Sequence, residues 1–171
     1  GLCAETGVCI SFLTEHGRFR ARVSGFTPGN VLLRREQYRR ADDPAATASI
    51  IRSMLVGKIA NARSVLLRAV RDHPDRPGAR GLEAAAGLLL QSLDALAREH
   101  DPDRLRGLEG EAATIYFSVF NDLITRADAD FVFATRSRRP PLDNVNALLS
   151  FLYAMLAHDC RAACEAAGLD A

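Results

Sequence analysis

The carboxylate of Glu109 is the first group in the sequence whose surroundings suggest chemistry. It lies in LRGLEGEAATIYF, residues 105–117, between Gly107 and Gly110 and just ahead of a helical pattern. A carboxylate at a helix N-terminus gains about 0.3–1 kcal/mol, so Glu109 could simply cap the helix that follows. It could also be a metal ligand, because the flanking glycines leave room for a bulky ligand or a backbone to approach. The stretch alone leaves both interpretations open.

The neighbouring Glu111 does not complete a metal site with Glu109. Two residues correspond to a rotation of roughly 200° around a helix, so the two carboxylates do not converge on one ion. Mg²⁺ and Mn²⁺ prefer several oxygen ligands and usually keep bound waters. One carboxylate cannot hold such an ion alone.

Three groups of basic residues have the chemistry to bind phosphate. They are Arg136, Arg138 and Arg139 before a Pro-Pro pair; Arg34, Arg35, Arg39 and Arg40 in LLRREQYRR; and Lys58 and Arg68, with Asn61, in KIANARSVLLR. Guanidinium groups match the geometry of phosphate oxygens. Each group could equally be the solvated side of a helix or loop.

The composition excludes several classes of protein. The 171 residues are 48% hydrophobic and 25% charged, the usual mix of a globular domain. A net charge of +1 does not by itself indicate a nucleic-acid binder, which would need local basic patches. The most apolar run, residues 147–157, is shorter than the roughly 18 residues that span a membrane, and no signal peptide is evident. We expect a cytoplasmic protein without membrane contact.

The first part of the chain predicts a β-hairpin. Residues 8–25, VCISFLTEHGRFRARVSG, alternate with the period of a half-buried strand on both sides of His16-Gly17. A lone hairpin is barely stable in water, so further strands are expected. Because the chain also begins without methionine and ends soon after a helix-stopping Gly168, we expect a fragment that lacks both ends.

From residue 31 onwards the pattern is helical. DDPAATAS begins a long helix, with Asp43 as its cap and Pro44 in its first turn. Asp101 is expected to cap a short helical turn, and a separate helix is expected to begin near Glu109. Further helices are predicted over residues 81–100 and from about Leu142 to Ala167, with an irregular connector over residues 127–141.

These elements predict a mostly α fold. A multi-helix C-terminal domain is preceded by the remnant of a small N-terminal β domain. The predicted remnant is the hairpin of residues 1–30, and the predicted helical catalytic domain covers residues 31–171 and is incomplete at its C-terminus.

In order along the chain, the segments resemble one family, the CRISPR-associated adaptation endonuclease, which is the integrase subunit that inserts new spacers into CRISPR arrays. The matching segments are GRFRARVSG, GNVLLRREQY, KIANARSVLLR, LRGLEGEAATIYF and RSRRPPLDNVNALLSFLYAML. The Gly-x-Glu-Gly element and the Arg-Arg-Pro-Pro-x-Asp-x-x-Asn element are together quite specific, whereas either alone would be weak evidence.

The resemblance implies a metal-dependent DNA nuclease and integrase of antiviral defence, which hydrolyses or transfers phosphodiester bonds. A DNA 3′-hydroxyl would attack a phosphodiester of the array, with Mg²⁺ or Mn²⁺ polarising the phosphate. Glu109 matches the glutamate ligand of the family. The histidine and aspartate ligands are expected beyond Ala171, so the fragment would be inactive alone, and His158 does not match the histidine motif.

The resemblance also implies partners. They are double-stranded DNA, as spacer precursor and CRISPR repeat; a second copy of the protein; and a small ferredoxin-fold CRISPR-associated protein. The candidates for DNA contact, chosen by charge and position, are Arg136, Arg138, Arg139, Arg34, Arg35 and Lys58. The alternative is a helical DNA-binding or scaffold protein without catalysis, in which Glu109 is only a helix cap. An all-α DNA-binding regulator is less supported, because no helix-turn-helix spacing stands out.

Overall fold

The computed structural model describes residues 2–6, 8, 10–15, 19–23, 25, 30–125 and 128–171. The helices are α1 (Leu2–Glu5), α2 (Val31–Asp42), α3 (Pro44–Asp72), α4 (Ala79–Leu96), α5 (Pro102–Ser118) and α6 (Asn144–Ala166), and the strands are β1 (Ile10–Leu13) and β2 (Phe19–Val23). Two 3₁₀ turns, Phe120–Leu123 and Ala129–Phe131, lie between α5 and α6. The predicted mostly helical fold is confirmed. The short helix α1 had no counterpart in the sequence pattern.

The chain forms two compact units. The first contains residues 1–40 and 138–171, and the second contains residues 41–137. The domain boundary predicted after residue 30 falls inside the first unit, and the origin of the hairpin in a larger β domain stays a prediction. Within the ranges that the structure describes, every helix is too short or too polar to cross a membrane.

In the first unit, β1 and β2 form the predicted antiparallel hairpin. Ile10 pairs with Val23, and the register shifts at the far end of β1. The predicted turn at His16-Gly17 lies outside the described residues. The hairpin contacts α6 through an ion pair between Arg22 and Glu165.

A hydrogen-bonded cap ends α6 and connects the last residues to α2. Gly168 adopts a φ of 83°, its N–H donates to the carbonyl of Glu165, and the N–H of Leu169 donates to that of Cys164. This is the Schellman arrangement, in which a left-handed glycine satisfies the last carbonyls. The Tyr38 hydroxyl then donates to the Asp170 carboxylate at 2.6 Å. That hydrogen bond raises the pKa of Tyr38, because losing the proton would leave two negative charges in contact.

The second unit is a three-helix core of α3, α4 and α5. Asp43 caps α3 as predicted, its carboxylate accepting the N–H of Ala45 at 2.9 Å. The largest side chains with less than 2% exposure in this unit are Leu66, Leu89, Leu96 and Leu105. Each leucine lies on the apolar face of its helix, and the apolar faces of the three helices pack together to form the core.

Helix α5 is one continuous element, and the predicted start of a helix near Glu109 is wrong. Asp101 caps it, accepting the N–H groups of Asp103 and Arg104 at 2.8 and 3.1 Å. The helix then runs through both glycines to Ser118. A glycine costs a helix about 0.8–1 kcal/mol, whereas burying a leucine such as Leu105 contributes about 1.5–3 kcal/mol. Tertiary packing therefore outweighs the glycines. Since Glu109 lies inside the helix, the cap interpretation is also wrong.

The turn from α3 to α4 packs directly on the 3₁₀ turn after α5. Arg76 donates to the carbonyls of Asp122 and Ile124 at 3.3 and 2.8 Å. A Cβ at Gly78 would lie 2.5–2.8 Å from three side-chain atoms of Asp122, including its Cβ. Because the Cβ of Asp122 is tied to the backbone, it cannot swing aside. Only glycine fits this position without a shift of one of the two segments.

We expect Gly78→Ala to destabilise the protein by about 1–3 kcal/mol through this overlap. Gly87→Ala is the matched control, because nothing lies within 4 Å of a Cβ there and Gly87 is inside α4. The control is expected to stabilise by about 0.5–1 kcal/mol. Urea unfolding followed by circular dichroism measures both. Equal stabilities of the two variants would contradict the steric argument.

Glu99 holds the turn between α4 and α5. Its carboxylate accepts the backbone N–H groups of His100 and Asp101 at 2.8 and 2.9 Å. Arg52 of α3 donates to the backbone carbonyl of Glu99 at 3.1 Å. The hydrogen bonds from Asp101 and then His100 lower the pKa of Glu99 below its ordinary value of 4.5, because they favour the ionised carboxylate.

A lowered pKa in the folded state makes part of the stability depend on pH. The contribution of Glu99 is complete above pH 4.5 and is lost as pH falls through the lower folded pKa. We therefore expect Glu99→Gln to reduce the stability at pH 6 and to flatten its decline in acid. Unfolding free energies between pH 6 and pH 3 test this, with the exposed Glu83→Gln as control. If the unfolding free energies of wild type and E99Q changed with pH in parallel, the proposed contribution of the Glu99 carboxylate would be wrong.

Candidate active site

Glu109 and Lys58 form an ion pair between two neighbouring helices. Lys58 Nζ of α3 donates to Glu109 Oε1 of α5. The lysine side chain is 55% exposed and the glutamate side chain 33%. Ion pairs of this exposure contribute about 0.2–1 kcal/mol. The contact orients Glu109 only weakly, and a competing cation can break it.

The buried faces of the two helices fix where these side chains lie. Ile59, next to Lys58, is 3% exposed in the core. Leu105 and Ala112, on either side of Glu109 along α5, are 0% and 3% exposed. Because residues three or four apart share a helix face, Glu109 lies beside Leu105 and Ala112 at the edge of the buried face of α5, where α5 packs against α3. No sequence pattern indicated the pairing of two residues that are 51 positions apart.

Glycines border the ion pair on both helices. A Cβ added at Gly57, Gly107 or Gly110 would meet no described atom within 4 Å. None of the three has a positive φ. Neither packing nor backbone conformation within the described chain therefore requires glycine, although each one weakens its helix. Gly110 therefore leaves the surface next to Glu109 bare, whereas Gly107 lies on roughly the opposite side of α5.

A divalent cation fits Glu109 in donor type and access. A carboxylate is the hard oxygen ligand that Mg²⁺ prefers, and one third of the Glu109 side chain is open to solvent. Among the residues placed by the structure, no group of three or more His, Cys, Asp or Glu side chains is arranged to hold a metal. The described residues thus offer one ligand of the several that such an ion needs.

The predicted DNA contacts fall in both units. In the unit of Glu109, Arg136 is half-buried, and its Nη1 donates to the carbonyl of Ser137 at 2.6 Å. In the other unit, Arg34 is half-buried, whereas Arg35, Arg138 and Arg139 are exposed. Only Lys58 is brought into contact with Glu109. A DNA-binding role for these residues stays a prediction.

An aromatic cluster holds the connector that leads to the arginines. Phe117 and Phe120 pack against Phe133, with ring centroids 5.9 and 4.9 Å apart. The N–H of Phe133 also donates to Asn121 Oδ1 at 2.9 Å. These contacts fix the irregular connector on the end of α5. Nothing in the sequence predicted that these aromatic side chains pack against one another.

The Asp-x-x-Asn part of the arginine motif has a structural role. The Asp143 carboxylate caps α6, accepting the backbone N–H of Asn146 at 2.7 Å and its side-chain Nδ2 at 2.6 Å. Asn146 is completely buried. Because a buried amide without partners is costly, this pairing explains both residue types at that spacing.

The fold is shared with chains of two solved assemblies. It matches a Cas6-RT-Cas1–Cas2 complex with a TM-score of 0.76 and 25% identity, covering 98% of this chain and 18% of that one. It also matches a casposase bound to integration product with a TM-score of 0.77 and 20% identity, covering 98% and 45%. At 20% identity the second likeness shows the fold alone.

The sequence comparison identifies the family among proteins of this fold. The family model for CRISPR associated protein Cas1 matches residues 1–171. CRISPR-associated endonuclease Cas1 1 of Chlorobaculum tepidum is 51% identical over 170 residues, which are 99% of this chain and 50% of the relative. The chain belongs to the Cas1 family, as its motifs predicted. It spans about half the length of the curated relatives it matches.

We expect Gly110→Ala to separate stability from function at this surface. The added Cβ meets nothing, so the helix should gain about 0.5–1 kcal/mol. If a ligand approaches here, DNA cleavage or joining by the full-length protein should fall at the same time. Unfolding and activity are measured on the same variant, with G87A as a stabilised control. Unchanged activity would show that the bare surface is not used.

Proposed function

We propose that the full-length protein is a metal-dependent DNA endonuclease and integrase of CRISPR adaptation. It inserts new spacers through attack of a DNA 3′-hydroxyl on a phosphodiester of the array. Membership of a family whose relatives are named CRISPR-associated endonucleases supports the nuclease. The observation that carries the site is the accessible Glu109 carboxylate, which lies inside α5 and between glycines that the chain itself does not need.

In this proposal Glu109 holds Mg²⁺ or Mn²⁺ together with ligands from outside the described residues. The ion, when bound, supplies polarisation of the phosphate under attack. Gly110 allows a sugar–phosphate backbone to approach the helix closely beside Glu109, because no side chain covers the surface there. Lys58 adds a positive charge beside the carboxylate.

DNA and two protein partners belong to the same proposal. The exposed Arg138 and Arg139, with Arg35, supply phosphate contacts whose strength falls with salt. A Cas1–Cas2 complex among the structural matches supports a Cas2-type partner, and the family resemblance implies that this partner is a small ferredoxin-fold protein. The second copy of the protein is proposed from the family resemblance.

One non-catalytic alternative has an observation in its favour. The Lys58–Glu109 ion pair could be the whole role of Glu109, as a link between α3 and α5 in a helical DNA-binding or scaffold protein. In that case replacing Glu109 changes stability and nothing else.

The variant Glu109→Gln in the full-length protein distinguishes the two functions. Glutamine keeps the size but loses the charge, so integration should fall by roughly 100-fold or more, since even indirect metal partners are worth 10–100-fold. Stability should change by only about 0.2–1 kcal/mol, the value of an exposed ion pair. The assay joins a labelled DNA end to a CRISPR repeat in Mn²⁺.

The matched control is Glu111→Gln. Glu111 is exposed, has the same chemistry and lies on a different side of α5. E111Q should retain full integration. Retained integration in E109Q would favour the non-catalytic alternative.

A further inference from the structure

We infer that Lys58 is an exchangeable counter-charge for Glu109. A divalent cation that binds Glu109 displaces the Lys58 ammonium, and the released ammonium then binds a phosphate of the DNA. The inference rests on the proposed function, because it takes Glu109 as a metal ligand. It assigns to Lys58 a role in coupling the cation to the nucleic acid.

The first step is competition for one carboxylate. Lys58 Nζ is bonded to Glu109 Oε1, one of the two oxygens that a cation would use. At this exposure the pair has an association constant of only about 1.4–5, so the ammonium is held loosely. A doubly charged ion bound to the same carboxylate would also repel the ammonium.

The second step is that Lys58 can move without disturbing the fold. Its neighbour Ile59 is buried and anchors the backbone of α3, while the lysine side chain itself is 55% exposed. Gly57 next to it on α3 and Gly110 next to Glu109 on α5 leave open space in which a four-carbon side chain can reorient. The core side chains already hold α3 against α5, so the ion pair is not required for their packing.

The third step is the destination of the ammonium. A phosphate brought next to the cation carries the negative charge that Lys58 has lost, and a lysine ammonium binds phosphate as a flexible point charge. If the cation releases Lys58 to the DNA, linkage requires that DNA strengthens cation binding by the same factor. Lys58 would thus make the two ligands cooperative.

Mn²⁺ binding measured by calorimetry on the full-length protein, without DNA, tests the competition. Lys58→Met keeps most of the side-chain length and removes the charge. Removing a competitor of the estimated strength should tighten Mn²⁺ binding by about two- to sixfold. Lys58→Arg keeps a competing cation and should bind Mn²⁺ nearly as wild type does. Unchanged or weaker binding by K58M would overturn the inference.

Glu109→Gln separates this inference from the proposed function. Weaker Mn²⁺ binding by E109Q supports Glu109 as a ligand, whether or not K58M differs from wild type. If E109Q binds Mn²⁺ as tightly as wild type, the metal site itself is wrong, and the inference fails with it. If E109Q is weakened and K58M is unchanged, only the inference fails.

The salt dependence of DNA binding tests where the ammonium goes. Each phosphate contact contributes about 0.9 to the slope of log affinity against log salt for duplex DNA. In Mn²⁺, K58M should therefore have a slope smaller than wild type by about 0.9. With EDTA the difference between the two slopes should be smaller, since Lys58 is then paired with Glu109 for most of the time. Equal slopes in Mn²⁺ would overturn the transfer to phosphate.

Discussion

Burial of leucines between α3, α4 and α5 is the constraint on which the rest of the second unit depends. Leu66, Leu89, Leu96 and Leu105 are all 0–1% exposed. Their burial keeps α5 helical through two glycines and packs it against α3. Glu109 and Lys58 can meet because this packing fixes the helices that carry them. The chemistry of the surface is therefore a consequence of the interior.

Features that depend on residues within a few positions of each other were predictable from the sequence. Asp43 and Asp101 cap their helices through hydrogen bonds that reach only two or three residues ahead. The β-hairpin follows from a period of two, and Gly168 ends α6 because it adopts a left-handed conformation. In each case the residue types and their spacing contain all the information that the interaction needs.

Features that depend on distant residues were not predictable. Gly107 and Gly110 indicated a helix boundary, but Leu105 is buried by other helices and holds α5 together. The pairing of Lys58 with Glu109 joins two motifs 51 residues apart, of which the first could be a solvated helix face and the second a helix cap or a metal ligand. The assignment of Glu109 as a metal ligand came from the family resemblance. The structure adds that the Glu109 side chain is 33% exposed and forms an ion pair with Lys58.

The glycines of the second unit show how a structure can separate two reasons for one residue type. Gly78 is required by the fold, because Asp122 occupies the space of a side chain there. Gly107 and Gly110 weaken α5, and the described chain uses neither their freedom nor their small size. An alanine at either position would give a more stable helix. Gly87 in α4 has the same open surroundings, so open space alone does not mark a functional glycine. What distinguishes Gly110 is that it adjoins the carboxylate that could bind a cation.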